Sequence, residues 1–350
     1  MYLKPSFALG ALAFAAVAAA PATSHARGPA GAQICTLGSS GAGTPGTLIC
    51  KNVLGGATTQ SIPLGSTTAE AGGIGGSLIS AGDRVLVTNQ VAGALLFRVD
   101  DGLLELPVLL QTGGENSLSG ALNAHGAYVL TGTALRFFPN GQNTASSKQS
   151  LLLGDGSAAE VTLTNRFAYV SEKNGSLEAF PLARDGNLIG PAASVAGISP
   201  GVIVGISGHA DLVVAPIAHL ATNAAQAEIS VASGLARVQV VPTKEVAACW
   251  TSNEDDEACV SNPGSTTVSC GHVGANGFES YTSAAASLVG ESMFDIDMRR
   301  GLVGVQAVHG GAPVLVTLSR GNGDFLTPVS EFPVGTTKAA GALLLPQISR

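Results

Sequence analysis

The chain has 350 residues, enough for one large domain or two, and a formal net charge of −7 at neutral pH. Only 12% of its residues are charged and its mean hydropathy is +0.35, which excludes a disordered chain. Its 17 basic residues are outnumbered by 24 acidic ones, so no basic surface is available for nucleic-acid phosphates. Glycine is abundant, at 46 residues, and aromatics are only 5%, which fits short strands joined by tight turns better than long helices.

Residues Met1 to Ala26 read as a signal peptide. Lys4 supplies a positive start, Phe7 to Ala20 is an apolar run, and Ser24-His25-Ala26 places small residues where cleavage occurs. The run is too short to span a bilayer comfortably. A buried N-terminal helix is the competing reading. Cleavage would remove Lys4 and leave 16 basic and 24 acidic residues, a net charge of −8. The remaining residues, 27–350, are expected to form one domain, secreted and extracellular or held at a cell wall. No transmembrane anchor is predicted.

Five cysteines follow. Secretion permits disulfides, and Cys35 and Cys50 are close enough in sequence to be the expected pair. Cys249, Cys259 and Cys270 fall in one later segment, and their pairing stays open. No Cys-x-x-Cys or His-x-His spacing favours a metal, so neither metal nor cofactor is expected. Asn174-Gly175-Ser176 is the sole N-glycosylation sequon and falls on a predicted hairpin tip.

Self-similarity sets the architecture. Ile34-Cys35-Thr36-Leu37 and Leu48-Ile49-Cys50 read as two strands around a Gly/Ser/Pro turn. Arg84 to Thr88 and Ala94 to Val99 form the next pair, turned by Asp100-Asp101-Gly102. Ala127 to Leu130 and Ala134 to Phe138 repeat it. So do Phe167 to Ser171 and Leu177 to Phe180, followed by the turn Asp185-Gly186-Asn187. Asp211 to Ala215 with Arg237 to Val241, Ala258 to Asn262 with Thr267 to Cys270, and Gly301 to Val305 with Pro313 to Leu318 complete the series.

Equivalent positions are Val85, Tyr128, Tyr169, Val213, Cys259 and Val303, spaced by 43, 41, 44, 46 and 44 residues. A period near 44 with about four strands per unit is the spacing of a β-propeller. An apolar stretch precedes each hairpin, such as Ala159 to Leu163 or Gly201 to Gly205, and is predicted to be the innermost strand. Gly341 to Pro346 is predicted to supply the inner strand of the unit begun by Ile34 and Leu48. Closing the ring in this way removes open sheet edges. The fold class is therefore all-β: a seven-bladed β-propeller, N- and C-terminal segments closing one blade, monomeric.

Ala168 to Phe180 with Asp185-Gly186-Asn187-Leu188 resembles the blade signature of seven-bladed lactonase-like propellers. Val87-Thr88-Asn89 with Phe97 to Gly102 repeats it, and Gly72 to Ser77 and Cys249-Trp250 are similar to that group as well. The group holds 6-phosphogluconolactonase and 3-carboxymuconate cyclase-like proteins. The resemblance implies a site at the mouth of the central channel, with His, Arg and Glu projected from inner strands. It also implies the company of secreted fungal surface antigens and adhesins. The Pro-Arg-His run often found before a blade in that family is replaced here by Pro200-Gly201-Val202, so no catalytic residue carries over.

The residues themselves offer a few candidates. Glu160, Glu291 and Asp295 fall on or beside predicted inner strands and are the candidate catalytic acids. The bland alternative is that they are structural turn or strand-end residues. Trp250, the sole tryptophan, is the candidate ligand-binding residue, with packing between blades as its alternative. His125, His209, His219, His272 and His309 fall at turns or near hairpins without metal-ligand spacing. Glu254-Asp255-Asp256-Glu257 reads as a solvated turn rather than a calcium loop. No Gly-x-Ser-x-Gly elbow is present.

Two functions follow. The first is a secreted binding glycoprotein of the surface antigen or adhesin type, partnered by an extracellular matrix or host-surface protein. The second is an extracellular lactonase or carboxymuconate cycloisomerase, taking a small lactone or carboxylate ligand at the channel mouth.

Overall fold

The computed structural model describes residues 31–345 except 42, 67–77, 196–201, 219–226, 234–236, 243–244, 275–276, 283–291 and 321–325. The predicted signal peptide, Glu291 and His219 lie outside the described residues. Within them every regular element is a strand. The strands form six antiparallel four-stranded sheets and one sheet of five. The fold is an all-β propeller.

The innermost strands are Leu78–Ala81, Ser117–Leu122, Ala158–Leu163, Ser207–His209, Trp250–Glu254, Ser292–Arg299 and Lys338–Leu345. Each contacts the next, and the last contacts the first, so the sheets surround one axis. The repeat read from the sequence has a physical origin. Val85, Tyr128, Tyr169, Val213, Cys259 and Val303 all lie on the second strand of a sheet, and all are 0% exposed.

Alternation on these strands makes each sheet apolar on both faces. Tyr128 packs with Phe137, Val161 and Phe180 toward the following sheet. Its neighbour Val129 packs with Leu86, Leu110 and Phe138 toward the preceding one. Fully burying one such side chain contributes about 1.5–3 kcal/mol. Ile34, Leu315 and Leu344 join the last sheet to the first, so this packing runs unbroken round the ring.

The closure predicted for the chain ends is present. Lys338–Leu345 pairs with Gln33–Ser39, which pairs with Pro45–Asn52. Cys35 and Cys50 face each other across that second pairing and form a disulfide. Cys259 and Cys270 do the same at the corresponding strand pair of the sheet spanning 250–282. Cys249 is the free thiol, and burial pushes it up to about 12. The thiolate needed for reactivity is therefore suppressed.

The units are less uniform than the sequence period predicts. Six sheets, rather than seven, have the expected four strands. In the remaining one, the strand Gly93–Asp100 pairs with both Leu103–Leu104 and Val108–Gln111, because Pro107 interrupts the outer edge. Of the predicted inner strand Gly201 to Gly205, the described part, Val202 to Gly205, is not the inner strand. That strand is the short Ser207–His209, while Val202 bridges to Ala218. Gly208 explains the shift: a Cβ there would lie 1.8 Å from the Leu163 carbonyl oxygen, so only glycine allows the adjacent inner strands to approach.

Candidate functional site

A cavity of about 400 Å³ lies on the propeller axis, and every inner strand contributes to its wall. Glu160, Asp295, Asp297 and Arg299 line it, with Thr162, Thr251, Ser252 and Glu254. Two of the three acids nominated from sequence, Glu160 and Asp295, are thus brought together from strands that are not neighbours.

Irregularities in the strands aim these groups. The pairing of Ala158–Leu163 with Phe167–Glu172 slips between Ala158 and Val161, so Glu160 sits in a bulge. Ser171, on the second strand, takes the place of the missing ladder partner. Its Oγ accepts from Glu160 N at 3.0 Å and donates to the Val204 carbonyl at 2.6 Å. The pairing of Ser292–Arg299 slips between Met293 and Asp295. The pairing of Lys338–Leu345 slips between Ala340 and Leu343. There Gly341 takes φ +81°, and Ala342 N, released from the ladder, donates to Asp295 Oδ2 at 3.2 Å. Bulges bend a strand and redirect its side chains. Here three of them converge on one level of the channel.

The environments of the acids differ. Glu160 Oε2 accepts from Ile206 N at 3.0 Å. Gly205 keeps that seat open: a Cβ there would come within 2.6 Å of Trp250 Cα and 3.2 Å of Glu160 Oε2. Desolvation, followed by the charge of Asp295, holds the Glu160 carboxyl well above the ordinary carboxylate range. Asp295 is 5% exposed and accepts from Ile296 N at 2.8 Å as well as from Ala342 N. Burial raises Asp297 to about 6, opposed by its bond from Leu344 N at 2.7 Å and by the Arg299 charge. Ser252 Oγ donates to Asp297 Oδ1 at 3.4 Å. Arg299 Nη1 donates to Ser80 Oγ at 3.0 Å and to the Leu344 carbonyl at 3.3 Å.

Two carboxyls whose environments separate their proton affinities can act together as an acid and a base. Glu160 can donate a proton and Asp295 can accept one. Asp297 and Arg299 were missed by the sequence reading. Their signal was the alternation Asp295-Ile296-Asp297-Met298-Arg299, polar on one face and apolar on the other. Ile296 and Met298 duly pack into the apolar cluster on the side of the sheet spanning 250–282.

Trp250 begins an inner strand, is 6% exposed and packs with Cys259, Ile296, Met298 and Val303. The cavity wall takes the next residue, Thr251. Asn174 is exposed at its hairpin tip, and its Oδ1 accepts from Ser176 N at 3.0 Å and Ser176 Oγ at 2.7 Å. Glu254 to Glu257 forms a hairpin turn, with Asp255 at φ +53° and Asp256 3.4 Å from His272 Nδ1. Among the described residues no group of three or more His, Cys, Asp or Glu side chains is placed to hold a metal ion.

No family model and no curated protein matches the chain. Solved structures do. A putative 6-phosphogluconolactonase from Bacteroides fragilis aligns with a TM-score of 0.60 at 16% identity, over 90% of this chain and 98% of its own. A protein from Lactobacillus plantarum aligns at 0.58 and 12% identity, over 90% and 99%. A chain of a nidogen/laminin complex aligns at 0.52 and 10% identity, over 76% and 99%. At these identities the likeness is one of fold. The chain shares the propeller fold of a lactonase-like protein. Its two disulfides are compatible with an extracellular protein, and no helix among the described residues is long and apolar enough to cross a membrane.

Proposed function

We propose that the chain is a secreted seven-bladed propeller enzyme that opens a lactone ring by paired acid and base catalysis in its central channel. The observation that carries this reading is the convergence of Glu160 and Asp295, from inner strands that are not neighbours, on the wall of one cavity, where burial and the Asp295 charge raise the Glu160 carboxyl. The cyclic contacts of the inner strands support a blade for each sheet. The printed name of one fold neighbour, a putative 6-phosphogluconolactonase, suggests lactones as the first substrates to test. A surface antigen or adhesin would need no such pair, so the channel moves the balance away from the binding-protein reading that the missing Pro-Arg-His run had favoured.

In the proposed reaction Asp295 removes a proton from water while the water oxygen bonds to the lactone carbonyl carbon. The ring carbon–oxygen bond then breaks, and Glu160 gives its proton to the departing oxygen. The product is an open hydroxy acid. Glu160 then regains a proton and Asp295 releases one, by exchange with solvent. Ser171 and Ile206 N hold Glu160 in place, and Ala342 N holds Asp295.

The sign of the pH dependence follows. Activity requires Asp295 ionised and Glu160 protonated, so it falls in acid and falls again above the raised Glu160 pKa. Purified protein tested on a panel of neutral and charged lactones should show turnover. Asp295→Asn should reduce kcat by about 10²–10⁴-fold, and Glu160→Gln by a similar factor with loss of the alkaline limb. Turnover unchanged in both variants, or absent from the wild type across the panel, removes this reading.

A further inference from the structure

The charge of the channel wall selects among the substrates that the proposed function would admit. This inference rests on that reading, because it names the substrate class of the same cavity.

The described wall carries four acids, Glu160, Glu254, Asp295 and Asp297, and one base, Arg299. Arg299 is already engaged by Ser80 Oγ and the Leu344 carbonyl, and its charge also acts on Asp297. No second guanidinium or ammonium among the described wall residues faces a ligand. A phosphate is recognised by convergent Arg or Lys side chains or by a helix N-terminus. The described residues contain no helix, and the wall offers a single arginine, whose Nη1 is taken by Ser80 Oγ and the Leu344 carbonyl. A phosphorylated or carboxylated ligand would instead meet Asp295 and Asp297 on the same wall, where like charges repel.

The rest of the wall favours a different chemistry. Thr162 and Asn253 present a hydroxyl and an amide that can both donate and accept; Ser207 and Thr251, 3.3 Å apart, share one bond between two hydroxyls and keep further lone pairs, Ser252 is committed to Asp297 and Met298 N, and backbone of the inner strands adds carbonyls. These groups pair with ligand hydroxyls. The volume of about 400 Å³ lies near the lower end of the range for small-molecule sites, so it suits a ligand of one sugar ring rather than an oligomer.

We propose that the channel takes an uncharged, hydroxyl-rich lactone of monosaccharide size and rejects its phosphorylated counterpart. The proposal therefore departs from the substrate in the name of the Bacteroides fragilis neighbour.

The test uses the whole protein and three probes: glucono-1,5-lactone for turnover, glucono-1,5-lactam for binding without turnover, and 6-phosphoglucono-1,5-lactone. The lactam should bind saturably in calorimetry and the neutral lactone should be hydrolysed. The phosphorylated lactone should have a kcat/KM at least about 100-fold lower, since like-charge juxtaposition costs several kcal/mol. Asp297→Asn should narrow that gap, and so should added salt. If the phosphorylated lactone is used as well as the neutral one, the charge inference fails and the proposed function stands. If the lactam binds but nothing is hydrolysed, the catalytic reading fails and the ligand class survives. If neither neutral probe binds or reacts, the charge inference falls, and the proposed function falls with it only where the phosphorylated lactone is untouched as well.

Discussion

Glu172 provides a quantitative test of the electrostatics in this fold. It ends the second strand of the sheet spanning 158–195, is 0% exposed, and lies beside Glu178, which is 1% exposed. Glu178 accepts from Leu152 N and Leu153 N, each at 2.9 Å, and so anchors the segment leading into the strand that carries Glu160. Ser157 Oγ lies 2.5 Å from both Glu172 Oε2 and Asp155 Oδ1. Desolvation, together with the charges of Glu178 and Asp155, raises Glu172 from 4.5 to about 7. A protonated Glu172 can donate to Ser157, which then donates to Asp155, and the chain of bonds is satisfied.

Above its pKa two buried carboxylates face each other instead. The folded pKa exceeds the unfolded one, so the native state holds the proton more tightly. Stability contributed by this group is full below the unfolded value of 4.5, is lost as pH rises through the folded value of about 7, and changes no further above it. The interval corresponds to about 3 kcal/mol. Glu172→Gln keeps the donor and removes the charge. Urea unfolding monitored by fluorescence at pH 5 and pH 8 should show the wild type losing stability over that range. The variant should lose about 3 kcal/mol less. Asp297, raised to about 6, and Glu160 remain in both proteins and leave a common residual slope. Parallel curves for the two proteins, or a variant equally destabilised at both pH values, would refute the reasoning.

Other outcomes follow from particular contacts. Ser171→Ala should remove the bond that fixes the Glu160 bulge, lowering kcat with little change in KM and costing about 1–2 kcal/mol by urea titration. Gly341→Ala should be strained at φ +81° and should press its Cβ against Leu78 Cγ, 2.9 Å away; a loss of about 1–3 kcal/mol is expected, read as a lower Tm. Removing the Cys35–Cys50 bridge by a double Ser substitution should cost about 3 kcal/mol, given the 15-residue separation, and free-thiol titration of the unfolded, unreduced variant should still report a single thiol, Cys249, because Cys259 and Cys270 stay bonded. Mass spectrometry of protein secreted by a eukaryotic host should show a glycan on Asn174 that Asn174→Gln abolishes; an unmodified peptide there would remove the glycosylation proposal.

Much of the fold could be read before any contact was known. The 44-residue period marked second-strand core positions because a fully buried strand must keep its apolar face at a fixed place in every unit. The strand at the C-terminus was legible from its apolar run, and the Cys35–Cys50 bridge from proximity. The segment Gly201 to Gly205 misled because an apolar run fits a strand or a packed connection equally well, and Gly208 placed the strand later. The fifth strand of the sheet spanning 78–111 was hidden by Pro107, which breaks an edge without ending the sheet.

The candidate site divides along a similar line. Residue type and strand position alone nominated Glu160 and Asp295, and the alternation from Asp295 to Arg299 held Asp297 and Arg299 in plain view. By itself the sequence determined the periodic strands, the units that stack, and the ends that meet. Tertiary structure decided which carboxyls share a channel, because strands distant in sequence become neighbours across the axis only when the ring closes. It also decided where the ladders slip. A bulge leaves no period in the sequence, yet the ladders slip at Glu160, before Asp295 and at Gly341, and Glu160 and Asp295 line one cavity.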